Sequence, residues 1–314
     1  MNLAILIGTF IGGLIMGLPV AVTLGVSSFC YLVAADIPLV VMPQKMYAGM
    51  DVFVLLCIPG FILAGNLMNN GGITERIIRF ANALVGWVRG GLGLTNVAAS
   101  MLFGGISGTA VADSASIGGV MIPGMKKAGY PASFAAAVTA ASSTVGPIIP
   151  PSVPMIIVGA LSGISVGQMF LAGAVPGILL GIAMLITTYL IASRNNFPRQ
   201  RWQGIREVTK SFLGAFWALI MSFLIIVGMI SGLMTPTETA VIACIYATIV
   251  GLLFYRELPL KAIPRIIVDS AVSSAAILVL VGFANVFGWI LVSERIPQMI
   301  ASAVLAITEN KFLV

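Results

Sequence analysis

Long runs of apolar residues, separated by short polar segments, follow one another along the chain. Seven of these runs contain no charged residue: Met1–Ala35, Val52–Thr74, Gly90–Ala112, Ala128–Ser193, Ser211–Thr237, Thr239–Tyr255 and Ser270–Ser293. A helix of roughly 20 apolar residues crosses the hydrocarbon core of a bilayer, so the pattern predicts an all-α polytopic membrane protein. The run from Ala128 to Ser193 is too long for one crossing, and we expect the chain to cross more than once there.

Composition narrows the class of protein further. Hydrophobic residues make up 59% of the 314 residues and charged residues only 8%, which leaves too little polar surface for a soluble domain. The net charge of +6 does not indicate nucleic-acid binding, because the basic residues lie in short loops, where they set membrane topology. Since the chain has no histidine and its three cysteines are scattered, we expect no disulfide, thiolate metal site or histidine proton relay.

A weak internal repeat relates the two halves of the chain. The segment DIPLVVMP at Asp36–Pro43 matches ELPLKAIP at Glu257–Pro264, and three weaker matches occur in the same order. The loop Asp36–Asp51 carries a net charge of −1, whereas its counterpart Arg256–Arg265 carries +2. Because positive loops face the cytoplasm, the two equivalent loops are expected on opposite sides of the membrane. The pattern therefore predicts inverted repeats, which are typical of secondary transporters.

The segment Gly90–Gly124 has to enter and leave the membrane by the same face, because Lys126 and Lys127 return the chain to the cytoplasmic side. As one helix its 35 residues would extend ~52 Å, against a hydrocarbon core of ~30 Å. A re-entrant hairpin resolves both constraints. Residues 132–161 then cross outward as a helix that the four prolines of Ala141–Pro154 interrupt near its middle.

Two stretches place small, polar and helix-breaking residues at membrane depth: GGISGTAVADSASIGG at Gly104–Gly119 and ASSTVGPIIPPSVP at Ala141–Pro154. Non-helical backbone survives there only when it is buried in protein or lines a wet cavity. Carbonyls and hydroxyls at the end of one half-helix suit an alkali cation, and the amides of the next suit an anionic substrate. We expect the two stretches to form one binding site. The alternative is that their small residues only allow close helix packing.

Asp113 is the only acidic residue in these two stretches. Three roles are open for it: neutralising a bound cation, exchanging a proton, or capping the second helix of the hairpin. With no histidine in the chain and no second acid near Asp113, the residues do not indicate an enzyme. No Walker motif indicates direct use of ATP either.

Two further segments carry charged residues next to apolar runs. The segment SGLMTPTETA at Ser231–Ala240 predicts a helix that starts with a capping threonine, a proline and an early glutamate. The amphipathic segment Ile73–Val88 is expected along the membrane surface, and the alternative is an ordinary helical extension with one charged face.

Three motifs carry a family resemblance: FGGISGTAVADSASIG, TAASSTVGPIIPPSVPMIIVG and GLMTPTETAVIACIYA. They resemble the large membrane subunit of tripartite ATP-independent periplasmic (TRAP) transporters, and the resemblance covers all 314 residues. It implies a multi-pass protein of the bacterial inner membrane with an elevator-type ion-transporter fold, in which a transport domain slides against a scaffold. It also implies co-transported Na⁺ without an organic cofactor, a small four-helix membrane subunit, and a periplasmic substrate-binding protein. Family substrates are mostly organic acids, including C4-dicarboxylates and sialic acids.

The resemblance also implies a division of the chain. Scaffold helices and the amphipathic surface helix take 1–89. Half of the transport domain takes 90–165, with the hairpin at 90–125 and the broken helix at 132–161. Linking transmembrane helices take 166–265, and the scaffold and surface helices of the second repeat take 266–314. The family has a second hairpin, which we expect only beyond residue 314, so the chain is expected to lack the C-terminal part of the family and to hold half a site.

The candidate site residues follow from pairing the two polar stretches under this resemblance. The expected sodium ligands are Ser107, Gly108, Thr109, Asp113, Ser143, Gly146 and Pro147. The expected substrate contacts are Ser114, Ser142, Thr144, Pro150 and Ser152. Together they predict a sodium-coupled importer of an organic anion, sialic acid or a C4-dicarboxylate. The alternative is an uncoupled channel or permease for small solutes.

Overall fold

The computed structural model describes residues 2–307, and this part of the chain is built from helices. The α-helices are α1 (Asn2–Ile15), α2 (Val20–Ala34), α3 (Val41–Met50), α4 (Cys57–Asn70), α5 (Ile73–Val85), α6 (Gly91–Ser107), α7 (Ala110–Lys127), α8 (Ala132–Ser143), α9 (Val153–Ser162), α10 (Val166–Arg194), α11 (Ile205–Ile230), α12 (Pro236–Ile249), α13 (Ile263–Ser293) and α14 (Ile296–Ile307). Short 3₁₀ turns precede α4 and α13, and a π-helical turn at Val250–Phe254 extends α12.

Five helical stretches in the described residues are long and apolar enough to cross a membrane: Phe53–Asn70, Val166–Arg194, Ile205–Met229, Pro236–Phe254 and Leu260–Ser293. The prediction of an all-helical, polytopic membrane protein is confirmed. The long uncharged run that was expected to cross more than once is divided among α8, α9 and α10. The helices α1 and α2 have 14 and 15 residues and are therefore shorter than a hydrocarbon core of ~30 Å.

The chain divides into two compact units. The described residues of Met1–Val52 and Ser274–Val314 form the first unit. Its core is a cluster of buried side chains from α1, α2 and α13: Leu6, Tyr31, Leu32, Val286 and Ile290. The Tyr31 hydroxyl joins this cluster to the end of α13, because it donates a hydrogen bond to Glu294.

The second unit is Phe53–Ser273, and it contains both polar stretches. Within it α4 packs along α12, where a Cβ on Gly60 would lie 2.8 Å from the Cβ of Ala240. The helices α6, α7 and α8 pack against one another, and α10 lies against α6 and α9. The predicted hairpin is therefore held by direct contacts with its neighbouring helices.

The order of the helices follows the sequence repeat. The pair α1–α2, then α3 and α4, then α5 correspond to the pair α11–α12, then α13, then α14. The chain passes through a residue with positive φ after each pair, at Asp36 (φ 53°) and Arg256 (φ 56°). It does so again before α5 at Gly72 (φ 78°) and before α14 at Arg295 (φ 56°). The copies differ in one respect, because α13 is continuous where its counterpart is interrupted between α3 and α4.

The predicted helix start in the second half is confirmed. Thr235 is the N-cap of α12, its hydroxyl accepts a hydrogen bond from the amide of Glu238, and Pro236 is the first helical residue. The Glu238 carboxylate accepts a hydrogen bond from the Thr235 amide at 2.8 Å, which completes a capping box. These residues are therefore explained by helix capping.

The amphipathic segment forms α5, and the structure shows what covers its apolar face. Ile73, Ile77 and Ala81 are buried, and the helix packs against α6 and α11. On the charged face, Arg76 pairs with Glu257 at 2.7 Å. Hydrophobic periodicity identified the buried face, but it cannot distinguish a protein neighbour from lipid.

Arg76 holds α5 to the loop that follows α12. Its guanidinium donates to Glu257 and to the carbonyl of Gly72, each at 2.7 Å, and lies 4.0 Å from the centre of the Tyr255 ring. The hydrogen bond from Arg76 lowers the pKa of Glu257 below its usual 4.5. One side chain thus ties a helix of the first repeat to a loop of the second.

We predict that Arg76→Ala lowers the free energy of unfolding by about 1 kcal/mol, because it removes a partly exposed ion pair and a cation–π contact together. Glu257→Gln should cost less, because the ring contact remains. Thermal unfolding of the full-length protein in detergent measures both changes. The Glu257→Gln effect should be present at neutral pH and disappear as the pH falls through the lowered pKa of Glu257, below 4.5.

The matched control is Arg265→Ala. Its ion pair with Asp269 spans 3.8 Å, and the two side chains are 88% and 65% exposed, so its loss should leave the unfolding temperature unchanged. Equal effects of Arg76→Ala and Arg265→Ala would show that the Arg76 contacts contribute nothing to stability.

Candidate functional site

The first polar stretch forms a tight turn between two helices. The helix α6 ends at Ser107, Gly108 follows with φ 63°, and α7 starts after Thr109. A residue without a Cβ is favoured at this left-handed position. The Thr109 hydroxyl accepts a hydrogen bond from the amide of Ala112 at 3.2 Å and is therefore the N-cap of α7.

The second polar stretch interrupts a helix. The helix α8 ends at Ser143, residues 144–152 are not α-helical, and α9 starts at Val153. Prolines in this interval lack the amide donors that a continuous helix needs. Ser152 restarts the helix as the N-cap of α9, because its hydroxyl accepts from the Met155 amide at 3.2 Å and donates to the Pro147 carbonyl.

The turn of the hairpin lies directly against the interrupted helix. A Cβ on Gly104 would lie 2.8 Å from the Cα of Gly146, and a Cβ on Gly108 would lie 2.5 Å from the carbonyl oxygen of Pro151. The Val153 amide, at the start of α9, donates to the Gly108 carbonyl at 3.2 Å. The structure therefore brings together the two stretches that the sequence pairs, and glycine is required where their backbones meet.

Asp113 lies on α7, one turn after this contact, and is fully buried, with 0% of its surface exposed. Neither carboxylate oxygen has a hydrogen-bond partner, and no ion pair in residues 2–307 includes it. The hydroxyls of Ser100 and Ser143 lie beside the carboxyl group. Since Thr109 caps α7, helix capping does not account for Asp113. A buried carboxylate without a partner is costly unless a cation or a proton accompanies it.

Hydroxyl groups from the neighbouring helices α6 and α8 form a chain of contacts that leads to this carboxylate. Ser143 donates to the Thr139 carbonyl at 2.8 Å, and the hydroxyls of Ser100 and Ser142 lie 3.0 Å apart. Further along, the Asn96 amide donates to the Thr139 hydroxyl at 2.6 Å. The arrangement is a buried polar seam between α6 and α8 that ends at Asp113. Its polar atoms are mostly hydroxyl oxygens, and no cluster of three or more His, Cys, Asp or Glu residues occurs within the described part of the chain.

Sequence reasoning missed Asn96, Ser100 and Thr139. The signal was present, because Asn96, Ser100 and Ser107 recur at spacings of four and seven residues and so lie on one face of α6. The sequence analysis singled out the glycine-rich turn of the hairpin. The polar residues on one face of α6, the helix that enters the turn, indicate the same site.

A small cavity lies on the α4 side of the hairpin turn. Ser107, Thr109 and Ser116 line it from the hairpin, and Asn66 and Asn69 line it from α4. The asparagines were also missed, although two amides three residues apart in an apolar helix form a detectable pattern. The cavity therefore offers hydroxyl and amide groups beside the turn.

The remaining predicted residues occupy different surroundings. Ser142 is buried in the seam, and Pro150 and Ser152 are buried at the helix interruption. Ser114 and Thr144 are exposed. The Thr144 hydroxyl donates a hydrogen bond of 2.7 Å to the Ala141 carbonyl in the last turn of α8. The structure thus gathers most of the predicted residues into one region and leaves these two hydroxyls at its surface.

We predict that Gly108→Ala strongly destabilises the protein, because the new Cβ would strain a left-handed residue by about 1–2 kcal/mol and also clash with Pro151. The matched control is Gly119→Ala in α7, where a Cβ meets no atom within 4 Å, so stability should be kept or rise slightly. Thermal unfolding in detergent compares the two. If both substitutions have the same small effect, the close contact at Gly108 is not required.

Comparison with known proteins agrees with this architecture. Residues 7–314 match the family model described as the tripartite ATP-independent periplasmic transporter, DctM component. The chain is 40% identical over 302 residues to the sialic acid TRAP transporter large permease protein SiaM of Vibrio cholerae, covering 96% of this chain and 71% of that protein. It is 38% identical over 304 residues to the 2,3-diketo-L-gulonate TRAP transporter large permease protein YiaN of Escherichia coli, again covering 96% of this chain and 71% of the relative.

A third relative, the C4-dicarboxylate TRAP transporter large permease protein DctM of Vibrio cholerae, is 36% identical over 328 residues, covering 98% of this chain and 72% of that protein. These relatives are transporter permeases, so the prediction that the chain is not an enzyme is confirmed. Together with the five long apolar helices, they also confirm a multi-pass location in the inner membrane. The chain belongs to the DctM family, the large membrane subunits of tripartite ATP-independent periplasmic transporters.

Proposed function

We propose that this chain is the transmembrane subunit of a sodium-coupled secondary transporter that imports an organic carboxylate. The observation that carries the proposal is Asp113, a fully buried carboxylate without a hydrogen-bond partner, next to the place where two interrupted backbones meet. A bound Na⁺ supplies the positive charge that this carboxylate lacks. The hydroxyl groups of Ser100 and Ser143, which also suit an alkali cation as ligands, lie beside it.

The proposed ion site draws on both stretches. The Asp113 carboxylate and the Ser143 hydroxyl form its charged side, with Ser100 beside them. The turn and the interruption supply the rest, because the Thr109 carbonyl lies 3.5 Å from the position of a Cβ on Gly146. The full proposed ligand set is Ser107, Gly108, Thr109, Asp113, Ser143, Gly146 and Pro147, and we include Ser100 because its hydroxyl lies beside the Asp113 carboxyl group.

Sodium coupling also satisfies the energetics of import. Moving one negative charge into a cell costs about 2.3 kcal/mol per 100 mV of membrane potential. Co-transported sodium ions that outnumber the charges of the anion reverse the sign of this cost and add the free energy of their own gradient. The proposed site at Asp113 would bind the Na⁺ that is transported together with the anion.

The proposed substrate is an organic acid, either sialic acid or a C4-dicarboxylate. The named substrates of the three relatives, sialic acid, 2,3-diketo-L-gulonate and C4-dicarboxylates, are all carboxylates. We assign the exposed hydroxyls of Ser114 and Thr144 to the substrate, since each follows a residue of the ion site. Ser142, Pro150 and Ser152 complete the proposed substrate side by shaping the buried backbone behind them.

We further propose that the hairpin α6–α7 is re-entrant and moves together with α8 and α9 as half of an elevator-type transport domain, spanning residues 90–165. The close backbone contacts between these elements support this assignment, because they join the hairpin to the interrupted helix. In the complete transporter, a small four-helix membrane subunit supports the scaffold, and a periplasmic substrate-binding protein delivers the substrate.

The proposal predicts a strong effect of Asp113→Asn on sodium-driven uptake. The substitution keeps the size of the side chain but removes its charge, so the sodium concentration for half-maximal uptake should rise roughly tenfold or more. Ser143→Ala should raise it less, because it removes one neutral ligand. Uptake of radiolabelled sialic acid and succinate into proteoliposomes, with the membrane partner and the binding protein present, measures both effects.

Asp269→Asn is the matched control, because it removes an exposed acid on α13 and should leave the sodium requirement unchanged. Uptake that follows a proton gradient without sodium would instead assign Asp113 to proton exchange. Non-saturable uptake that is indifferent to sodium and to Asp113→Asn would support the uncoupled permease and sink the sodium proposal.

A further inference from the structure

The segment between α10 and α11, residues 195–204, joins two of the long apolar helices and therefore lies at a membrane surface. Its path is fixed by hydrogen bonds on both sides of Arg199. The Pro198 carbonyl accepts from the Tyr130 hydroxyl at 3.0 Å and from the Gly90 amide at 3.2 Å. The Gln200 side chain accepts from the Asn82 amide at 2.9 Å. The backbone that carries Arg199 is thus ordered in advance of any ligand.

Aromatic side chains also pack against this segment. The Phe197 ring lies 5.0 Å from that of Tyr130 and 4.8 Å from that of Phe134. Tyr130 belongs to the connection between α7 and α8, at the exit of the hairpin, and Phe134 lies in the first turn of α8. The segment is therefore attached to the base of the hairpin and does not behave as a free loop.

A cleft opens where this segment meets the end of α5. Its lining residues are Trp87, Arg199, Gln200, Arg201 and Trp202. The two indole rings meet edge to face with their centres 5.5 Å apart, yet Trp87 is 47% exposed and Trp202 is 49% exposed. Neither arginine has a carboxylate partner, because the ion pairs within residues 2–307 involve Arg76, Arg79 and Arg265. The cleft thus combines two unpaired guanidinium groups with two half-exposed indoles.

We propose that this cleft binds the phosphate of an anionic phospholipid headgroup. A guanidinium pairs with phosphate through two parallel hydrogen bonds, and indole rings prefer the headgroup level of a bilayer. The charge pattern places the segment on the cytoplasmic side, where basic clefts between membrane helices recognise acidic lipids. The last turns of α10 expose Tyr189, Leu190 and Ile191, which provide apolar surface for the acyl chains.

The chemistry recognised is the phosphate group, which a soluble anion also carries. The position of the cleft at the ends of two apolar helices favours the lipid source, because a headgroup there is already confined to the membrane surface and loses less translational freedom on binding. This site is separate from the proposed ion site, so its test does not depend on sodium coupling.

The experiment compares lipid retention by the full-length protein purified in detergent. After incubation with phosphatidylglycerol or phosphatidylcholine at equal concentration, native mass spectrometry counts the lipids that remain bound. The wild type should retain phosphatidylglycerol preferentially. Arg199→Gln combined with Arg201→Gln should weaken this retention roughly tenfold or more, since each basic group near an anionic surface contributes to the attraction. Trp202→Ala should weaken it without a change of charge.

The matched control combines Arg206→Gln with Lys210→Gln, which removes the same charge from exposed positions on α11 outside the cleft. It should retain phosphatidylglycerol as the wild type does. A parallel titration with inorganic phosphate, followed by tryptophan fluorescence in lipid-free detergent, tests the soluble source. Phosphate binding without a preference for phosphatidylglycerol overturns the lipid assignment. Equal retention by the wild type and the Arg199/Arg201 variant overturns the site itself.

Discussion

The contact between the hairpin turn and the interrupted helix is the constraint on which the second unit depends. Backbone that leaves the helical conformation at membrane depth has polar groups that lipid cannot satisfy. Here the two irregular segments satisfy each other in part, since the Val153 amide donates to the Gly108 carbonyl. Glycine at positions 104, 108 and 146 allows the approach, and the capping hydroxyls of Thr109 and Ser152 restart the helices on either side. The irregular backbone of the two segments is thus concentrated in one place.

The sequence predicted this arrangement well where single residues have strong conformational preferences. Prolines located the interruption after Ser143, and the glycine-rich stretch located the turn at Gly108. It could not decide the role of Asp113, because threonine and aspartate are both good caps and only the backbone dihedral angles select Thr109. Partners from other helices, such as Ser100, were missed because contact across helices depends on their packing.

The helices α5 and α3 show what the sequence pattern leaves open. Ile73, Ile77 and Ala81 of α5 are buried, and the helix packs against α6 and α11, whereas amphipathic periodicity predicts only which face is apolar. Its expected position along the membrane surface stays a prediction. The loop Asp36–Asp51 contains the helix α3, and the end of α3 at Met50 coincides with the start of the uncharged run at Val52. The charge pattern therefore located the end of this segment but not the helix inside it.

If sodium coupling is as we propose, the Gly104–Gly146 contact has a consequence for the choice of ion. The two backbones touch with no side chain between them, so no rotamer change can widen the gap. A cation held between these segments would meet oxygen atoms whose separation was set during folding, and ordering them again on binding would cost little entropy. A larger ion such as K⁺ would have to push the two main chains apart and break the hydrogen bond at Gly108. Discrimination by ionic radius would then come from the stiffness of the peptide backbone, and not from the number or charge of the ligands.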